Sequence, residues 1–379
     1  DNSGFFDRYF LATKSICFSF TGFSFPSGLK HSVMKTKYFM LLAIGFLFSC
    51  ASDDSSEYQN IPIDYQVPSN FPPLAYNMAN NPLTEKGFEL GKKIFYDGRL
   101  ASDGVVSCGF CHIQEDAFTH HGHTFSHGVG DGIGTRNAPP IQNMAYQTQF
   151  FWDGAADHIE LLSMAPISNE LEMNGNIISI INMMKNDSEY KKLFRQAFPG
   201  EEINSENMLK ALAQFMTMLT SSNSRFDKYR RNEAGGTLTS DELAGYNLFN
   251  QKCASCHATD IFTDNSFRNN GLPINPSIND QGRYRVTEFD NDKYKFKVPS
   301  LRNIEKTAPY MHDGRFYTLE AVLNHYSSGV SNTQNLDASL NNAGTLGIPL
   351  TATEKLQLIA FLKTLTDNEF LTNPRFAEF

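Results

Sequence analysis

Cys108-Gly109-Phe110-Cys111-His112 and Cys253-Ala254-Ser255-Cys256-His257 are two copies of one pattern. In a helical turn, sulfurs at i and i+3 face one side, where each can form a thioether to a porphyrin vinyl group. The histidine that follows then presents its imidazole to the iron. A zinc site built from both pairs would need donors to converge from positions about 140 residues apart, and would leave each trailing histidine without a role. A redox dithiol requires a strand–helix setting that the neighbouring sequence lacks. The two motifs therefore predict two covalent c-type haems attached at Cys108, Cys111, Cys253 and Cys256, with His112 and His257 as proximal iron ligands.

The motifs sit in matching surroundings. A helix is predicted over 83–95, with Thr84 as N-cap and Gly91-x-x-Ile94-Phe95 near its end; 238–249 repeats it, with Thr239 or Ser240 as cap and Gly245-x-x-Leu248-Phe249. Each half closes with another amphipathic helix. In 205–219 the apolar face is Leu209, Leu212, Phe215 and Met216, and in 352–365 it is Leu358, Phe361, Leu362 and Leu365. The stretches between are rich in Gly, Asn and Pro, with few alternating runs. The expected fold is mainly α: two cytochrome c-like domains, 70–230 and 236–379, each around one haem. The polar stretch 223–236, with Gly235-Gly236, marks the boundary.

The chain is 379 residues long, 41% hydrophobic and 19% charged, which suits a globular protein larger than one core and excludes a polytopic membrane protein. A formal charge of −9 argues against a nucleic-acid partner. Met34-Lys35-Thr36-Lys37 opens a basic stretch before the apolar run 38–48, which is the length of a signal-peptide core. Leu47-Phe48-Ser49-Cys50 resembles a bacterial lipobox, so 34–49 reads as a lipoprotein signal peptide, Cys50 as the lipidated residue and 50–69 as a flexible tether. Residues 1–33, with Cys17, read as over-extended translation. The expected location is the periplasm, on a lipid anchor, with the outer membrane as one destination.

Further motifs are specific. Thr135-Arg136-Asn137-Ala138-Pro139, Phe151-Trp152-Asp153-Gly154, Pro166-Ile167 and Glu172-Met173 resemble the first domain of bacterial dihaem cytochrome c peroxidases and the related MauG enzymes. Val298-Pro299-Ser300-Leu301-Arg302-Asn303 and Thr307-Ala308-Pro309-Tyr310-Met311-His312-Asp313-Gly314 are similar to the second. The likeness runs in order over nearly all of 65–370.

The resemblance implies that the first haem is peroxidatic and the second passes electrons to it. His127 matches the removable distal histidine, on a loop whose Gly122, Gly128, Gly130, Gly132 and Gly134 allow movement; His120, His121 and His123 are its competitors. Glu172 matches the distal acid–base that moves the proton during peroxide cleavage. Leu162 stands where relatives often carry a glutamine. Trp152, the single tryptophan, matches the indole between the haems. Asn137, with the carbonyls of Thr307 and Pro309, matches a calcium site. Tyr326 fills the axial position of the second haem, as in MauG, with His325 and Met311 as rivals. The implied activity is peroxidase: hydrogen peroxide is reduced with electrons from a cytochrome c or copper protein. The alternatives are a MauG-like oxidase acting on side chains of a partner protein, and a non-enzymatic dihaem carrier. A homodimer is compatible with the resemblance.

Overall fold

The computed structural model describes residues 60–120 and 122–378. The signal peptide, Cys17, Cys50, His121 and the tether up to residue 59 lie outside them. Along the described chain the helices are α1 (Glu85–Tyr96), α2 (Cys108–Cys111), α3 (Met164–Ser168), α4 (Ile177–Asn186), α5 (Ser188–Ala197) and α6 (Ser205–Met218), then α7 (Arg225–Arg230), α8 (Ser240–Lys252), α9 (Tyr284–Thr287), α10 (Leu319–Asn324), α11 (Ala352–Lys363) and α12 (Asn368–Thr372). Two short antiparallel pairs accompany them: β1 (Phe267–Arg268) with β2 (Phe296–Lys297), and β3 (Asn341–Asn342) with β4 (Thr345–Leu346).

The helix starts follow from their caps. Thr84 accepts from the Gly87 N–H ahead of α1, and Thr239 and Thr351 make capping boxes with Glu242 and Glu354 ahead of α8 and α11. Helix α8 runs three residues past the sequence expectation, to Lys252, so Cys253 caps it directly. The repeat is visible in packing. Helix α1 lies on α6 and α8 on α11, and in each pair a glycine permits the approach: a Cβ on Gly91 would lie 2.0 Å from the Ala211 carbonyl oxygen, and one on Gly245 would lie 2.0 Å from that of Gln357. Phe88, Ile94 and Phe95 bury against Leu212 and Phe215 in the first core; Phe249, Leu358, Phe361 and Leu362 form the second.

Two findings depart from the sequence reading. The stretch 60–69 is not a loose tether, because the Asn60 amide donates to Thr84 Oγ1 (2.9 Å) and the Ala197 carbonyl (3.0 Å), and the Ile63 N–H donates to Leu83 O (2.9 Å). In addition, Phe370, Leu371 and Phe376 belong to the first core, so the chain crosses back after completing the second.

The boundary stretch 223–236 contains a helix of its own. Helix α7 carries Asp227, whose carboxylate takes the buried guanidinium of Arg302, and both side chains are wholly enclosed. Arg302 Nε also donates to the Asp260 carbonyl (2.9 Å), and its own carbonyl accepts from Gln142 Nε2 (2.7 Å). Next in sequence, the Asn303 amide donates to Gln142 Oε1 (2.6 Å) and Ser221 Oγ (2.9 Å) and its oxygen accepts from the Asp367 N–H (2.7 Å). Burial works against the Asp227 carboxylate. Arg302, Ser224 and Asn70 together overcome that and hold it below the ordinary range. Its stabilising contribution is therefore full above the ordinary carboxylate pKa and is lost as pH falls through the lowered folded value. Replacing Arg302 by Leu leaves this charge buried and unpaired; denaturant unfolding is expected to show a loss of about 3–5 kcal/mol.

Candidate active site

Both Cys-x-x-Cys-His stretches fold as single helical turns. The His112 N–H donates to Cys108 O (2.9 Å), and the His257 N–H to Cys253 O (3.0 Å). Each histidine then donates Nδ1–H to a backbone carbonyl, His112 to Phe118 (2.7 Å) and His257 to Phe262 (3.1 Å). That bond fixes the ring and leaves Nε2 as the free donor for a metal. Burial lowers both imidazoles, His112 to about 4, so they stay neutral. Burial also pushes the Cys108 and Cys253 thiols up to about 12 and Cys111 to about 11.

Each motif opens onto its own cavity. The first, about 480 Å³, is bordered by Cys108, Cys111, His112, His127, Trp152 and Glu172. The second, about 230 Å³, is bordered by Cys253, Cys256, His257, Trp152, Met311 and Tyr326. Because the two pairs face different cavities, the four sulfurs cannot share one zinc ion. Both cavities are lined mainly by apolar side chains, each supplies two thiols and one pre-oriented imidazole, and these residues fit a thioether-linked haem.

Trp152 is common to both cavities, its indole N–H donating to the Asn137 carbonyl (2.8 Å). Glu172 is pushed up by burial, against a hydrogen bond from Asn169 Nδ2 (2.7 Å). The His127 loop is fastened to the Glu172 backbone: Val129 N–H donates to Glu172 O (2.8 Å), and Gly128 lies so close that a Cβ would meet Leu171 O at 2.2 Å. Thus His127 and Glu172, 45 positions apart in sequence, share one wall. His120 and His123 stack on each other, and His123 meets His127 edge-on at 5.0 Å; of the three, His127 alone borders the cavity. Leu162 borders it too, an apolar group in the cavity wall.

In the second cavity Tyr326 lies on a π-helical turn, residues His325–Gly329, a form of irregularity common at functional sites. Burial pushes its phenol up to about 12. His325 turns away, donating Nε2–H to Asn270 O (3.0 Å). Met311 borders the cavity with its sulfur 3.4 Å from Asn270 Nδ2. Asn137, Thr307 and Pro309 all border the second cavity. The Asn137 amide nitrogen donates to His123 O (3.2 Å) and Thr124 O (3.3 Å), which turns Oδ1 the other way.

Several residues here escape sequence reading. Arg136 ties Asp153 (2.6 Å) to Asp280 (2.6 Å), Phe296 stacks on His312 at 3.7 Å, and Asn270 connects His325 to Met311. Arg136 and His312 at least lie within the quoted motifs; Asn270 carries no signal of its own.

A family model for di-haem cytochrome c peroxidase matches residues 85–235. The methylamine utilization protein MauG of Methylorubrum extorquens is 36% identical over 75% of this chain and 79% of its own length. The cytochrome c551 peroxidase of Nitrosomonas europaea is 30% identical over 86% of this chain and 90% of its own. A crystallised MauG-like protein associated with microbial copper homeostasis superposes with a TM-score of 0.75 at 33% identity, covering 83% of this chain and 99% of that one. The chain belongs to the family of di-haem cytochrome c peroxidases and MauG proteins, whose members carry two c-type haems.

The tight approach at Gly128 makes a test. Gly128→Ala should push the His127 loop off the Glu172 wall and cost about 1–3 kcal/mol, the usual range for overpacking. Gly134→Ala, whose nearest new contact would be 3.7 Å, should leave the thermal midpoint unchanged.

Proposed function

We propose that this chain is a dihaem peroxidase that reduces hydrogen peroxide to water, drawing electrons from a small redox protein such as a cytochrome c or cupredoxin. The observation that carries this reading is Trp152 standing as a common wall between two cavities, each with its own thiol pair and histidine. When bound, the haems supply the iron chemistry and the redox storage.

The protein's part is positional and acid–base. His112 and His257 would hold the irons, their rings already fixed by the carbonyl bonds. His127 borders the first cavity on a loop that contains glycines with left-handed φ, Gly122 and Gly130, and would serve as the removable ligand there. Glu172, on the same wall, accepts the proton of bound peroxide and returns it to the departing oxygen; its raised pKa brings the conjugate acid nearer the working range. Leu162 offers no hydrogen bond, so the amide beside Glu172 is that of Asn169. The indole of Trp152 shortens the electron path. Tyr326 would be the residue that holds the second haem opposite His257, a role supported by its place on the cavity wall and by the engagement of His325 with Asn270. Calcium suits the neutral oxygens of Asn137, Thr307 and Pro309, with waters completing the shell.

A lipid anchor at Cys50 would hold the enzyme at a membrane facing the periplasm; among the described residues no helix is long and apolar enough to cross one. A second reading, MauG-like oxidation of a partner protein, is favoured by Tyr326, while His127 beside the first cavity favours peroxidase turnover. Rapid peroxide-dependent oxidation of reduced cytochrome c separates the two. A protein in which neither haem becomes high-spin in any redox state would be a carrier.

Two substitutions test the assignment. Glu172→Gln should retain both haems by pyridine haemochrome assay yet lower kcat with peroxide by about 10²–10⁴-fold. Tyr326→Met should raise the midpoint potential of the second haem, because a thioether favours the ferrous state that a phenolate disfavours; an unmoved potential assigns the position to another residue.

A further inference from the structure

Lys297 is the anomaly of the seam. It borders both cavities, is only 9% exposed, and sits on β2, where its N–H donates to the Trp152 carbonyl (2.7 Å). Its ammonium donates to the amide oxygen of Gln147. That amide is held in orientation by its nitrogen, which donates to Gln142 O (3.3 Å), so the partner at Lys297 is a neutral acceptor. Every other lysine or arginine bordering either cavity has a carboxylate: Arg136 has Asp153 and Asp280, Arg285 has Asp280, Lys252 has Glu354, and Arg268 has Asp264 and Asp337. For Lys297, burial alone acts, pushing the ammonium down to about 7.

An ammonium enclosed among apolar groups with one neutral acceptor is costly, and a carboxylate within reach would relieve it. The haems bring carboxylates, since each porphyrin bears two propionates. We propose that Lys297 is a positioning residue for the prosthetic groups: its ammonium pairs with a haem propionate at the Trp152 seam, orienting that haem and holding its potential up. The carboxylate accepts from the two ammonium hydrogens that Gln147 leaves over. This inference rests on reading the two cavities as haem sites.

The test is spectroelectrochemical titration of the holoenzyme, after haem is counted by pyridine haemochrome. Lys297→Met removes the charge and should bias one haem toward the ferric state by roughly tenfold, a fall of about 59 mV for one electron. Lys297→Arg keeps the charge and should hold both potentials near those of the parent. The haem that moves is the owner of the propionate. Two haems with unmoved potentials in Lys297→Met, or an equal fall in Lys297→Arg, would overturn the proposal. Should the Met variant lose haem, Lys297→Gln takes its place under the same criterion. Loss of haem in Met and Gln but not Arg supports the ion pair, and loss in all three overturns it. Fewer than two haems in the parent protein would remove the underlying reading, and this inference with it.

Discussion

The arrangement depends on one buried charge pair and the asparagine beside it. Arg302 and Asp227 are fully enclosed, and such a pair holds only if every remaining donor and acceptor is satisfied. Here the carbonyls of Asp260 and Arg302, the amides of Gln142 and Asn303, and the hydroxyl of Ser221 complete the set. Gln142 and Ser221 come from the first half of the chain, Arg302 and Asn303 from the second, and Asp367 from the segment that returns. A shift of one half against the other would strand several polar groups at once. The cluster therefore dictates one register, and the shared Trp152 wall exists because that register is held.

Desolvation supplies a common logic to the two sites. The same loss of water keeps the proximal imidazoles neutral, keeps the thiols protonated and raises Glu172. A neutral imidazole can offer its lone pair to iron, and a carboxyl with a raised pKa can both take and return a proton. The cations obey the opposite rule. Arg136 and Arg268 tolerate their partly buried positions because paired aspartates accompany them.

Much of this was legible in the sequence. The thiol–imidazole spacing is local, so its geometry follows from one helical turn, and Thr84, Thr239, Gly91 and Gly245 announce the helices they begin and pack. The family resemblance implied roles at the haems for Trp152 and Glu172, and both border the first cavity. Contacts that depend on distant chain crossing were not legible: Lys297 beside Gln147, Arg136 with Asp280, and Phe296 against His312 join residues more than a hundred positions apart or on unpredicted strands. The polar stretch 223–236 read only as a boundary because a capped helix of six residues with one buried aspartate looks like surface until Arg302 is placed over it. Similarly, 60–69 lacks hydrophobic periodicity and is held by backbone and amide hydrogen bonds, which leave no compositional trace.

Phe370, Leu371 and Phe376 complete a hydrophobic core whose other members end at Leu219. A polypeptide emerging from a ribosome or a translocon cannot close that core when the first half is out, because its final wall is still about 150 residues from being made. The first lobe must wait, partly open, while the second is synthesised. That dependence makes the two lobes poor candidates for separate expression.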